Sequence, residues 1–577
     1  MITFVTLCWI ILLLSFLHIF LLQLSAEWQR WTPPDASTLF GLVSFGGVSF
    51  ATFWLYYFSH TAGSIFVAVL EIFAVARFAK CLFSSNGFSR YKQLNAHLLP
   101  VTSAALLILF IGLYPFGADW DSQTALGNRW YKNLPMDNWL PKILADQVWE
   151  GSIKRPMVGD WLASDRPPLQ AGAYLLVKYF SPETAGIYQV LGTWLQCTVI
   201  VPVILIVQSA GFGRKIAPLA VLTLSTCAVF IINGLFVWPK LLAATYTAVL
   251  FVALFQSTQT RLTPRSQILL AGLSLAFAML SHSASSFALI GVLMAYVLQQ
   301  RSKGLPSLFA ACGIAVIAYL PWLVYQKIID PPGDRLMKWH LAGVIPIDHR
   351  SLLQTLGDSY SSLTWETWLA GRIENVTRVF VDPLWFPREL SAYLQSIFHG
   401  TPDPSSIYVN SFFFFSYAQW FFPPAIILLS YAYLAVRRIR PPDTLNSLAG
   451  TVLFSLSAWV LLMFSPGSTI IHSGAYFCPI GALLLAMGLL NACSETVFKV
   501  LSWLSVSLAV SIYMLDRQIQ ALFVGGIAQI DLGYVLLLAM AFLFHYQACR
   551  LTSRYVSTIA VFPVPAGYPT ITSSIVK

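Results

Sequence analysis

Apolar residues run through this chain in long windows interrupted by short polar turns, not in alternation. Roughly fifteen windows stand out, at 4–24, 37–58, 61–79, 97–116, 184–209, 216–233, 239–256, 267–280, 285–298, 307–325, 412–436, 447–464, 474–490, 500–515 and 527–545. A helix needs about 20 apolar residues to cross a bilayer, so each window predicts a span or most of one. Between 262 and 301 the apolar run is broken by Ser281, His282, Ser283, Ser285 and Ser286, which predicts two short helices meeting at a polar turn. The expected fold class is an all-α polytopic membrane protein, a helical bundle of about 13–15 spans. The 4–24 window has no basic flank or small-residue cleavage site and is read as a retained helix, not a cleaved signal.

Two polar intervals are too long to be turns, 117–183 and 327–410. Both carry amphipathic patterns. Within 137–153, Trp139, Leu140, Ile143, Leu144, Val148 and Trp149 share one helical face, with Lys142, Asp146 and Glu150 elsewhere. Within 350–380, Leu352, Leu353, Leu356, Tyr360, Leu363, Trp368, Leu369, Ile373 and Val376 recur at near-helical spacing. Such segments predict interfacial helices that together form a lid. The organisation is therefore N-terminal membrane helices (1–116), a first loop (117–183), central helices (184–326), a second loop (327–410), C-terminal helices (411–548) and a tail (549–577).

Charge supplies orientation. Only 10% of the 577 residues are charged, against about 25% in soluble domains, which excludes an ordinary soluble enzyme. Lys+Arg 34 against Asp+Glu 24 leaves +10, and the basic residues are not clustered as a nucleic-acid-binding face would require. Arg90 and Lys92, Arg214 and Lys215, Arg261 and Arg265, Arg301 and Lys303, Arg437, Arg438 and Arg440, and Arg550 and Arg554 fall on one side when the spans alternate. Basic short loops stay cytoplasmic, so both long loops are expected on the extracytoplasmic face of a cell membrane, with the N-terminus outside and the C-terminus inside. The eight cysteines lie in or beside apolar runs and suggest neither a disulfide framework nor a CxxC metal site.

Candidate chemistry concentrates in the first loop. Asp119-Trp120-Asp121 stands where the fourth span ends, followed by Arg129 and Lys132. Two carboxylates here suit a general base, hard-oxygen ligands for Mg²⁺ or Mn²⁺, or helix caps. Farther on, Asp165-Arg166-Pro167-Pro168-Leu169 sets an acid and a base before a stiff Pro-Pro pair, and an ion pair at a helix start is the plain alternative. Trp120, Trp130, Trp139, Trp149 and Trp161 serve as interface anchors or sugar-stacking platforms.

An acidic motif outside an early span, an interfacial helix and an acid/base-Pro-Pro-Leu box resemble the polytopic glycosyltransferases of the GT-C superfamily. The pattern is nearest to the lipid A aminoarabinose transferases and protein O-mannosyltransferases. The resemblance covers 119–172, with Ser122 where those families carry Glu and with three spans preceding the helix that leads into the motif, where relatives usually have none. It implies transfer of a sugar from a polyprenyl-phosphate donor to a lipid, polysaccharide or protein acceptor. Asp121 would be the base, with Asp119 and Asp165 beside it. The departing phosphate would need cations, for which Arg166, Lys240, Arg335, Lys338 and His340 are the candidates on the expected outer side. A transporter or flippase of lipid-linked saccharides is the competing expectation. His282 and His472 fall on turns at the same side and are placed to line one cavity, without the spacing of a metal site. Glu71, within the third span, is expected to pair with Arg77 or a neighbouring helix, and Asn375-Val376-Thr377 matches a glycosylation sequon.

Overall fold

The computed structural model describes residues 2–82, 87–115, 136–180, 184–256, 260–380, 385–403, 407, 423–465 and 472–559. Among them the structure is helical, with one isolated antiparallel bridge between Val158 and Trp161. Nine described segments are long and apolar enough to cross a membrane, ten if the bent pair Ala217–Ser225 and Ala228–Phe236 forms one span. The chain is thus built as a multi-pass membrane protein.

Every expected window overlaps a described helix, yet several helices are not simple spans. Lys240–Phe255 and Phe477–Cys493 are short and buried nearly all round, so other helices surround them instead of lipid. The run Ser283–Ile329 is too long for one crossing. It reverses at Arg301–Gly304, where Arg301 takes a positive φ of 53°, and Ser283 and Gln326 line the same cavity. The expected straight span at 216–233 is bent by 51°, because Cys227 is in extended conformation between the two helices. Ser225, at that bend, meets His545 Nε2 at 2.7 Å, while Ser103 meets His545 Nδ1 at 2.9 Å.

Close helix crossings are made by missing side chains. Gly172 of the Leu169–Val177 helix lies so near the Ser49 carbonyl of Pro34–Phe58 that a methyl group would overlap it. Gly291 does the same against Thr451 and Ser455 of Asp443–Leu462. Arg77 pairs with Glu27 of the first helix, so the expected Glu71–Arg77 pair is not formed.

The bundle has two chemically different ends. Phe477–Cys493 connects them, running about 25 Å from beside His472 to beside Glu495. At one end the described parts of both long loops meet, and this is the loop end. At the other lie Arg214, Lys215, Lys499 and Arg550, and this is the basic end. Helices stand where the amphipathic patterns predicted them, at Leu140–Trp149, Leu352–Ser361 and Trp365–Phe380. Ser351 and Gln354 form a capping box that starts the second of these. The third is anchored through Asn375, whose fully buried amide donates to the carbonyls of Val460 and Met463, both at 3.0 Å. The sequon asparagine is a structural hydrogen-bond donor.

Candidate active-site cavity

The loop end is stitched together by a few residues on either side of the Pro-Pro box. A tight turn at Val158-Gly159-Asp160-Trp161, with Gly159 at φ 56°, is closed by Trp161 N–H donating to Val158 O at 2.9 Å. It aims the Trp161 ring at two guanidiniums, Arg166 at 4.1 Å and Arg335 at 4.8 Å from the ring centroid. Asp330 of the second loop accepts from Ser164 N–H at 2.8 Å, and Gln326 donates to Ser164 O at 3.0 Å. The first loop is thereby docked onto the start of the second.

Asp165 sits in the 3-10 turn Ala163–Asp165 and is buried. Its Oδ2 accepts from Leu162 N–H at 3.0 Å and lies 3.5 Å from Arg335 Nη1. Burial raises its pKa, opposed by the Leu162 amide and by Arg335 and Arg166. With one oxygen committed in this way, Asp165 fixes the turn and its cation. Arg335 is itself heavily engaged, donating through Nε to Ile345 O at 2.9 Å and through Nη1 to Asp160 O at 2.6 Å, with Nη2 on the Asp160 carboxylate.

Lys338 is likewise used by the fold. Its ammonium contacts Asp334 Oδ1 at 3.0 Å, Asp348 O at 2.7 Å and Arg350 O at 2.5 Å. The two carbonyls accept hydrogen bonds and Asp334 is an ion-pair partner, so the ammonium is held by the fold. Lys338 thus clasps the Asp348–Arg350 segment to its own helix.

Arg166 is different. It is buried, and it pairs through Nη2 with Asp137 Oδ1 at 3.0 Å, while its Nε has no hydrogen-bond partner among the described residues. Burial pulls its pKa down, while Asp137 and Asp165 push it back up, and a guanidinium stays charged under these conditions. Around it gather groups from four separate segments. Lys240 begins a buried helix, with Nζ 3.9 Å from the Trp238 ring centroid. His282 and His472 have ring centroids 5.6 Å apart, and His340 lies 4.9 Å from His472. The Tyr476 hydroxyl is within 3.0 Å of His282 Nδ1 and 2.8 Å of His472 Nδ1. Burial, with the charge of Arg166 second, lowers the His340 pKa to about 4, so its imidazole is neutral near pH 7.

A cavity of about 250 Å³ opens beside this cluster. Asp165, Arg335 and His340 line its polar side, and Met279, Phe287 and Ile290 its apolar side. Ile290 is partly exposed on the outer surface of the bundle. The arrangement suits an amphiphile whose charged group rests at the loop end and whose chain lies along the helices.

Of the residues singled out from sequence, Asp165, Arg335 and His340 line this cavity, whereas Arg166, Lys240 and Lys338 are buried outside its lining. Asp119 and Asp121 lie outside the described residues. Among those described, no three His, Cys, Asp or Glu side chains gather as metal ligands. Asp137, Tyr476 and the clamping role of Trp161 were not legible in the spacing, although Tyr476 stands one helical turn after His472. Comparison with protein families, with characterised proteins and with solved structures finds no match to this chain.

Proposed function

We propose that the protein is an integral-membrane glycosyltransferase of GT-C type, moving a sugar from a polyprenyl-phosphate donor to an acceptor at the extracytoplasmic face. The observation that carries this reading is the cavity that sets Arg335 and His340 opposite an apolar wall of Met279, Phe287 and Ile290, at the end of the bundle that also holds the buried cations Arg166 and Lys240. A polyprenyl-phosphate sugar has that composition: an anionic phosphate, a polar sugar and a long apolar tail.

In this reading Arg166 and Lys240 attract the donor phosphate, and neutral His340 donates a hydrogen bond to it. An acceptor hydroxyl attacks the anomeric carbon as the bond from that carbon to the phosphate oxygen breaks. The phosphate leaves with the electron pair as an anion, stabilised by the cations, so no general acid is needed. The hydroxyl proton passes to the carboxylate of Asp121. Asp165 acts one step away, by holding Arg335 and the Ala163–Asp165 turn.

The test is a proteoliposome assay with labelled polyprenyl-phosphate sugars and a mixture of candidate acceptors. Covalent transfer by the wild type, reduced about 10²-fold or more in Asp121→Asn, is the expected outcome. Full activity in Asp121→Asn removes that residue from the mechanism. Lipid movement without transfer supports a flippase instead, a reading favoured by the bent Ala217–Ser225 and Ala228–Phe236 pair with His545 at its break.

A further inference from the structure

A cavity of about 710 Å³ at the basic end plays no part in the chemistry above. Arg214 and Lys215 line it from the turn after Ile200–Ser209, Lys499 from Glu495–Ala509 and Arg550 from Leu532–Ile559. Lys499 is balanced by Glu495 at 2.5 Å. Arg550 lies 5.7 Å from the Tyr546 ring, and Trp503 packs on the same tyrosine with ring centroids 6.2 Å apart. Among the described residues Arg214, Lys215 and Arg550 have no ion-pair partner, so the cavity carries an uncompensated positive charge.

A second, narrower crevice of about 100 Å³ adjoins it, sharing Arg214 and Ser553. Its walls are mostly apolar, with Ile204, Val207, Phe212, Ala217 and Val221 beside Gln208 and Thr552. A charged chamber that continues into an apolar slot, rimmed by Trp and Tyr, matches a phosphate group esterified to acyl chains. Free phosphate has no use for the slot.

We infer that this pocket holds the phosphate headgroup of an anionic phospholipid from the leaflet at the basic end, with part of an acyl chain in the crevice. Arg214 and Arg550 flank the phosphate, Lys215 adds charge at the rim, and Trp503 and Tyr546 cover the glycerol region. The inference is independent of the catalytic reading, since the two sites lie at opposite ends of Phe477–Cys493.

The experiment is native mass spectrometry of the full-length protein in a neutral detergent, with phosphatidylglycerol and phosphatidylcholine as probes. Wild-type protein should retain phosphatidylglycerol in preference to phosphatidylcholine. The Arg214→Gln/Arg550→Gln variant should lose about 10- to 30-fold of that preference, at roughly fivefold per cation. Lys215→Gln, on the exposed turn, should lose about fivefold and serves if the double variant melts abnormally. Arg437→Gln/Arg440→Gln removes two exposed cations from another basic loop and should leave retention unchanged. Three results overturn the inference: unchanged retention in both pocket variants, an equal loss in the Arg437/Arg440 control, or displacement of the lipid by inorganic phosphate alone.

Discussion

Arg335 draws its partners from three places: the Asp160 turn, the Asp165 turn and the Ile345 carbonyl. Removing it leaves the buried Asp165 carboxylate without this cation and the Asp160 and Ile345 carbonyls without their donor. Arg335→Ala is therefore expected to cost about 3 kcal/mol, read as a lowered melting temperature in detergent. Arg335→Lys should recover only part of this, because an ammonium cannot reproduce the fork that serves both turns. Trp161→Leu removes the surface on which both guanidiniums rest and should cost about 1–3 kcal/mol. His340 gives a pH signature. Its native pKa of about 4 lies below the ordinary value of 6.5, so the unfolded chain binds the extra proton first. Stability should be full above about pH 6.5 and fall as the pH drops towards 4, and His340→Gln should flatten that slope in a melting series.

At the scale of elements, two glycines make opposite predictions. Gly291→Val should be destabilising by about 1–3 kcal/mol or block accumulation, because the Ser286–Gln300 and Asp443–Leu462 helices touch there. Gly313→Ala meets nothing within 4 Å and should be neutral or slightly stabilising. Helix positions were readable from sequence because burial in lipid demands long apolar windows, and a window survives any packing arrangement. The bend at Cys227 and the all-round burial of Lys240–Phe255 were not readable, since hydropathy cannot separate a lipid neighbour from a leucine neighbour. The site was legible for the same kind of reason, and only in part. Buried Arg166 and Lys240 are conspicuous as charges beside apolar runs, and the polar turn at His282 is conspicuous as an interruption. Whether a cation faces a ligand or a carbonyl depends on contacts far along the chain. Lys338, held by Asp348 and Arg350, looked the same in sequence as Arg166.

For the whole molecule, the separation of a histidine-rich loop end from an arginine-rich basic end makes an orientation test direct. Ser361→Cys, exposed on the second loop, should react with an impermeant thiol reagent added outside intact cells. Ser302→Cys, exposed at the Arg301–Gly304 reversal, should react only after permeabilisation. The opposite pattern would invert the assignment of faces and move the proposed chemistry to the cytoplasm. Docking of the second loop through Asn375 also bears on how the protein is produced. In a host with N-glycosylation machinery, an oligosaccharide attached to Asn375 before the Trp365–Phe380 helix settles would hold that helix off Val460 and Met463. Asn375→Gln is a poor remedy, because the longer side chain displaces the amide from both carbonyls. Thr377→Ala abolishes the sequon while sparing Asn375, at the cost only of an exposed hydroxyl bonded to Ile373 O, and should raise the yield of folded protein from such a host.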